Sequence, residues 1–267
     1  MRNEILKLLF IFLAFAARVF AQADGPIEDN SFLIEEAYNQ EPGVIQHINA
    51  FSRSRDGGWL YTFTEEVPLK SRRHQLSLTV SAAGTRSGGA GFGDVAVNYR
   101  YQLVDNDRTA VAPRFSVILP VGDARRERGR GGVGWQFNLP VSVRLAPRFV
   151  AHTNAGLTLT PRAENQSGAR ARAVDFNFGQ SLVYLARPRF NLILETVWNH
   201  TETVTSLRQT RRENEVLINP GVRWAHDFGW RDLQIVPGVA VPIGVGPSRG
   251  ERGIFLYLSF EHRVGKK

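Results

Sequence analysis

The chain has 267 residues, no cysteine, 43% hydrophobic residues and a mean hydropathy of -0.21. That composition excludes a bundle of membrane helices, a disulfide-stapled scaffold and a disordered chain. The formal charge is +8, from 33 Lys and Arg against 25 Asp and Glu, which points to an anionic partner or surface.

Residues 1–23 read as an export leader. Arg2 and Lys7 give a positive start, Ile5 to Ala17 are almost wholly apolar, and Ala21-Gln22-Ala23 fits the small-x-small rule for a signal peptidase. Cleavage is expected after Ala23, with Asp24 as the mature N-terminus. An uncleaved helical anchor fits less well, because the apolar core is short and Arg18 interrupts it. Export makes nucleic acid a poor partner for the basic charge. Lipopolysaccharide phosphates and anionic solutes are better matches.

Residues 24–43 come next. They are acidic (Glu28, Asp29, Glu35, Glu36, Glu41), with an apolar cluster at Phe32, Leu33, Ile34 and Tyr38. A short periplasmic helix, a plug for the domain that follows and a loosely held terminus all fit.

From residue 44 the pattern has period two. In His74–Ala82, Leu76, Leu78, Val80 and Ala82 share one face, and Gln75, Ser77, Thr79 and Ser81 share the other. Val95, Val97, Tyr99 and Tyr101 oppose Asp94, Asn98, Arg100 and Gln102. Val133 to Leu145 is the longest clean example, with Trp135, Phe137, Leu139, Val141 and Val143 opposing Gln136, Asn138, Ser142 and Arg144. Phe176, Phe178, Leu182 and Tyr184 oppose Asp175, Asn177 and Ser181. In the last segment Ile254, Leu256, Leu258 and Phe260 oppose Phe255, Tyr257, Ser259 and Glu261. Alternation of this kind marks half-buried strands.

About twelve such runs are predicted, at 44–54, 58–69, 72–84, 92–103, 109–121, 132–145, 148–160, 173–186, 188–200, 213–226, 231–244 and 252–264. Most are long enough to cross a bilayer at a barrel tilt, and soluble sandwiches use shorter strands. Even-numbered runs end in tight turns, such as Asp105-Asn106-Asp107 and Ala146-Pro147. Odd-numbered runs mostly end in longer loops, at 85–91, 122–131, 161–172, 201–212 and 245–251. Aromatics band the ends, with Trp59, Trp135 and Trp198 near the outer ends and Tyr101, Phe149, Phe190 and Trp224 near the inner ones. The expected architecture over 44–267 is an all-β, transmembrane, antiparallel up-and-down barrel of about 12 strands, with short periplasmic turns and longer extracellular loops.

Three phrases, SFLIEEAYNQEPGVIQHI (31–48), GFGDVAVNYRYQL (91–103) and RFSVILPVG (114–122), resemble the family named Putative MetA-pathway of phenol degradation. The resemblance spans most of the mature chain. It implies an outer-membrane barrel that takes up small solutes, aromatic or hydrophobic compounds among them, and it brings no catalytic residues.

No G-x-S-x-G elbow occurs, and of the six His only His152 lies well inside a predicted lumen row, with Ser142 or Ser181 on neighbouring strands. No catalytic residue is assigned. Neither H-E-x-x-H nor an EF-hand loop occurs, so no metal or cofactor is expected, and the Asp105–Asp107 fragment reads as a turn. Arg125, Arg126, Arg128 and Arg130 cluster in an outer loop and are expected to grip lipopolysaccharide phosphate, with Arg208, Arg211 and Arg212 as a second cluster. The parity of the runs turns Asn98, Arg100, Arg114, Gln136, Asn138, Arg144, His152, Asn154, Asn177, Asn191, Glu195, Asn219, Arg223, Glu261 and Arg263 toward the lumen. If Arg100, Arg114 and Arg144 pair with Glu195 and Glu261, the interior is a closed polar network; if not, it is a wet path with an anion bias. Pro120 and Pro140 also face inward, which requires an irregular point at each.

These readings converge on a diffusion channel in the Gram-negative outer membrane, with membrane lipid, lipopolysaccharide and a small-molecule solute as partners. The alternatives are a closed structural barrel that binds lipopolysaccharide and, further off, an outer-membrane lipid hydrolase. About 220 barrel residues cannot supply the twenty-two strands of an energised transporter.

Overall fold

The computed structural model describes residues 31–85, 89–228 and 233–264. The predicted leader and cleavage site lie outside the described residues. Twelve antiparallel strands close on themselves: β1 (Val44–Ser54), β2 (Trp59–Leu69), β3 (Ser71–Thr85), β4 (Gly89–Tyr101, resumed at Val104–Asp105), β5 (Thr109–Val111 and Arg114–Leu119), β6 (Gly134–Ala146), β7 (Phe149–Glu164), β8 (Arg170–Arg187), β9 (Phe190–Ser206), β10 (Gln209–Trp224, resumed at His226–Phe228), β11 (Leu233–Ala240 and Ile243–Gly244) and β12 (Gly253–Arg263). Each strand pairs with its sequence neighbours, and β1 pairs with β12 from Val44↔Arg263 to Ser54↔Gly253. Among the described residues the strand pairing runs all the way round, so the sheet closes on itself, which is the condition for a sheet to cross a bilayer.

The alternation seen in the sequence becomes an inside and an outside. Leu76, Leu78, Val97, Phe115, Trp135, Phe137, Phe178, Leu194 and Leu256 are exposed, while intervening residues such as Gln75, Asn98, Ser116, Asn138, Glu195 and Ser259 are buried. A belt of exposed leucine and aromatic side chains around a polar interior is stable only against lipid. Leu194 sits on that belt, 49% exposed and flanked by Leu182 and Pro220. Leu194→Arg is therefore expected to cost about 2–4 kcal/mol of folding free energy in vesicles, read by a denaturant titration. A cost near zero would mean that this face meets water.

The breaks in strands have visible causes. Proline has no N–H for the ladder. Pro113 interrupts β5, and Pro140 on β6 lies beside that gap, where its carbonyl accepts from Ala112 N at 3.1 Å. Pro120 falls just past the end of β5. Pro242 interrupts β11, so the β10–β11 seam is thin: Gly221–Arg223 pair with Gly238–Ala240, and Leu217 and Ile218 with Gly244 and Ile243.

Two expectations need correction. Residues 161–172 and 201–212 are not long loops, because β7–β8 continue as a ladder to Glu164 and Arg170, and β9–β10 to Ser206 and Gln209. There the polar sequence ends the apolar alternation without ending the hydrogen bonding. Arg211 and Arg212 accordingly stand on β10, with only Arg208 in the turn. Trp198 lies well within β9 rather than near its outer end.

Candidate functional site

Residues 31–43 run through the lumen, in the half nearer the tight turns. The segment has almost no ladder of its own, so its backbone N–H and C=O groups need other partners. Barrel side chains supply them. Glu195, 0% exposed, accepts from Phe32 N, Leu33 N and Ile34 N at 2.9, 2.9 and 3.1 Å on one oxygen, and from Asn219 Nδ2 at 2.7 Å on the other. Three consecutive amides around one carboxylate form an anion-binding nest. Asn154 accepts from Glu35 N and donates to Glu35 O, both at 2.8 Å, as a strand neighbour would. Gln102 does the same for Asn39 N (2.8 Å) and Ala37 O (2.6 Å). Gln75 accepts from Gln40 N at 2.7 Å.

Arg114 and Arg100 fasten the segment from within the lumen. Arg114 holds the Glu35 carboxylate with both Nε and Nη2, at 3.0 and 2.6 Å, and donates also to Asn98 and Gln136. Arg100 donates to Asn39 Oδ1, Tyr38 O and Glu36 O at 2.7, 2.6 and 3.3 Å, and its guanidinium lies 3.6 Å from Glu66. Paired and planar donors of this kind fix position as well as charge. Of the two alternatives open at the sequence level, a pairing of Arg100 and Arg114 with Glu195 is not what the lumen holds. Arg100 and Arg114 spend their donors largely on residues 35–39, Arg114 on the Glu35 carboxylate, and Glu195 holds backbone amides instead of a guanidinium.

An apolar anchor completes the docking. The Phe32 ring meets Phe255 and Tyr257 edge-on, at 5.8 and 6.0 Å between centroids. A Cβ on Gly221 or Gly238 would lie 2.5 or 2.6 Å from that ring, so the two strands pass under Phe32 only as glycine. Sequence reasoning did not include Phe255 and Tyr257 in the lumen list. Their signal was present, since two aromatics on the polar face of β12 call for something apolar to cover them.

The remaining predicted lumen residues fall as follows. Asn98, Asn138, His152, Asn191, Asn219 and Arg223 are buried, and Gln136, Arg144, Asn177 and Glu261 are half-buried on the inward parity of their strands. Arg263 is exposed at the rim, 3.3 Å from Glu41. Ser142 Oγ lies 2.7 Å from His152 Nδ1 and accepts from Ala37 N at 2.8 Å. A serine and a histidine do meet, but beneath the segment, with the hydroxyl already bonded to Ala37. No substrate carbonyl can reach it in this arrangement.

Above the segment a cavity of about 720 Å³ extends toward the loop end of the barrel, with Leu33, Ile34 and Glu35 in its lining. The 120–133 loop folds over its rim. Asp94 accepts from Gly122 N and Arg130 N at 3.0 and 2.8 Å, and Arg130 reaches Asp175 at 2.5 Å. The four arginines of this loop therefore do not share one outward face. Arg130 is bound across the mouth and Arg128 donates to Ala90 O, while Arg125 and Arg126 are 72% and 67% exposed.

Closed strands, a lipid-facing belt and a polar lumen define a transmembrane barrel of the outer-membrane kind. The family described as Putative MetA-pathway of phenol degradation matches residues 43–242, and the chain belongs to it. Among solved structures, the COG4313 outer membrane channel from Pseudomonas putida F1 aligns with 90% of this chain and 99% of its own, at 12% identity and a TM-score of 0.59. The NanC porin aligns with 80% of this chain and 98% of its own, at 12% identity and 0.56. The KdgM porin covers the same shares at 9% identity and 0.53. At these identities the likeness is one of fold. No curated protein matches the chain.

Proposed function

We propose that the protein is an outer-membrane channel that passes small solutes by diffusion, with residues 31–43 as a stopper that must shift for passage. One observation carries this reading: a cavity of about 720 Å³ rests on a segment held by side-chain hydrogen bonds and ion pairs, not by strand continuity. Such bonds can be exchanged for water, whereas a barrel wall cannot part as cheaply. The porins and the outer membrane channel that share the fold support it, and the family's name supports aromatic or hydrophobic compounds among the solutes. Export through a leader cleaved after Ala23 belongs to the same proposal. The burial of the Ser142–His152 pair argues against hydrolysis as the role.

The alternative, a closed barrel that holds lipopolysaccharide, keeps Arg125 and Arg126 as its phosphate contacts. Planar-bilayer recordings separate the two. The channel reading expects small, infrequent conductance steps with weak ion selectivity, because Arg114 is neutralised by Glu35 and Arg130 by Asp175. An inserted barrel that stays silent even without the stopper would leave the closed reading in place.

A further inference from the structure

We propose that the outer wall of β7 and β8 carries a binding site for a phosphorylated lipid headgroup of the outer leaflet, and that Arg162 and Arg172 grip its phosphate. The two strands fall out of step here, because Ala171 pairs with Ala163 and Ala173 with Thr160. Pro161 and Arg162 therefore both stand opposite Arg172, as in a β-bulge. Thr160, Ala163, Ala171 and Ala173 are buried on the inner side, while Pro161, Arg162 and Arg172 are exposed. The bulge thus brings a second arginine to the outer face beside the first. Pro161 suits the irregular point, since it has no N–H for the ladder.

Like charges on facing residues repel unless an anion lies between them. Among the described residues neither Arg162 nor Arg172 has an ion pair or a side-chain hydrogen bond. The neighbouring acids are already taken: Glu164 by Arg170 at 2.8 Å and Arg125 at 3.6 Å, and Glu202 by Arg212 at 3.1 Å. Height selects the ligand. Below the pair on the same face come Leu159 and Phe176, and Trp135 pairs with Leu159, so the exposed apolar belt ends just there. Arg172 stands beyond Phe176 by about 13 Å along a tilted strand, and an arginine stem can reach back toward the belt. That puts both guanidinium groups in the headgroup layer, where lipid phosphates lie and where paired N–H donors match them. A solute bound for the lumen meets the other face of this wall, and a soluble protein could seat here only by entering lipid. The site is separate from the loop arginines Arg125 and Arg126, and it holds whether or not the barrel conducts.

The test is native mass spectrometry of the full chain, refolded in a neutral detergent. It is titrated with lipid A carrying both phosphates, with the same lipid dephosphorylated, and with inorganic phosphate as competitor. Phosphorylated lipid A is expected to bind about tenfold more tightly than the dephosphorylated form, and equimolar inorganic phosphate should not displace it. Arg162→Gln combined with Arg172→Gln should abolish that preference, whereas Arg125→Gln combined with Arg126→Gln should keep it. If the first pair of substitutions costs the barrel its heat-modifiable migration on gels, the lipid series on the unaltered chain and on the loop variant decides. Equal binding of the two lipids, an unchanged preference without Arg162 and Arg172, or a preference lost with the loop arginines would overturn the proposal. Displacement by inorganic phosphate would also overturn it, by showing a plain anion site.

Discussion

Deleting residues 31–40 is expected to raise single-channel conductance by about an order of magnitude, because the cross-section they fill becomes water. The strand ladder does not depend on them: β1 begins at Val44 and is paired on both sides without their help. The barrel should therefore still fold and still show heat-modifiable migration. Arg100, Gln75 and Gln102 lose partners in the deletion, but water entering the lumen can replace those contacts. Unchanged conductance in a folded deletion variant would show that the constriction lies elsewhere, with the Arg130 bridge at the mouth as the next candidate.

Glu195→Ala should loosen the stopper without removing it. The carboxylate accepts four hydrogen bonds, three of them from consecutive backbone amides in a fully buried place. Losing it strands those amides, at a cost to docking of about 3 kcal/mol, or roughly a hundredfold in the undocked population. Hydrogen exchange at Phe32, Leu33 and Ile34 reads this directly. Glu195→Gln keeps an oxygen toward the three amides and should exchange far more slowly than the alanine variant. Equal protection in all three proteins would remove Glu195 as the latch.

How much of this was legible in advance differs by element. β1 runs over 44–54 in both the sequence reading and the structure, since its period-two pattern and the Asp56-Gly57 turn leave little choice. The same holds for the inward parity of Asn98, Asn138, Asn154 and Glu195, because a strand's side chains must alternate. The ends of β7 to β10 were not legible. Beyond the lipid belt the outward side chains turn polar, as at Arg170 and Arg172, and only small residues such as Ala163, Ala171, Ala173 and Val204 are buried, so no apolar outer face marks how far the ladders continue.

The candidate site divides in the same way. Period two with polar residues facing inward was enough to determine a closed barrel with a polar lumen, because lipid on one side and no free edge admit few other solutions. What fills the lumen was decided only by tertiary structure. Phe32 meets Glu195, and Glu35 meets Arg114 and Asn154, across separations of 163, 79 and 119 residues. No local pattern in residues 31–43 specifies these partners. They exist because barrel closure brings strands remote in sequence around one short segment, whose backbone must find its hydrogen bonds there.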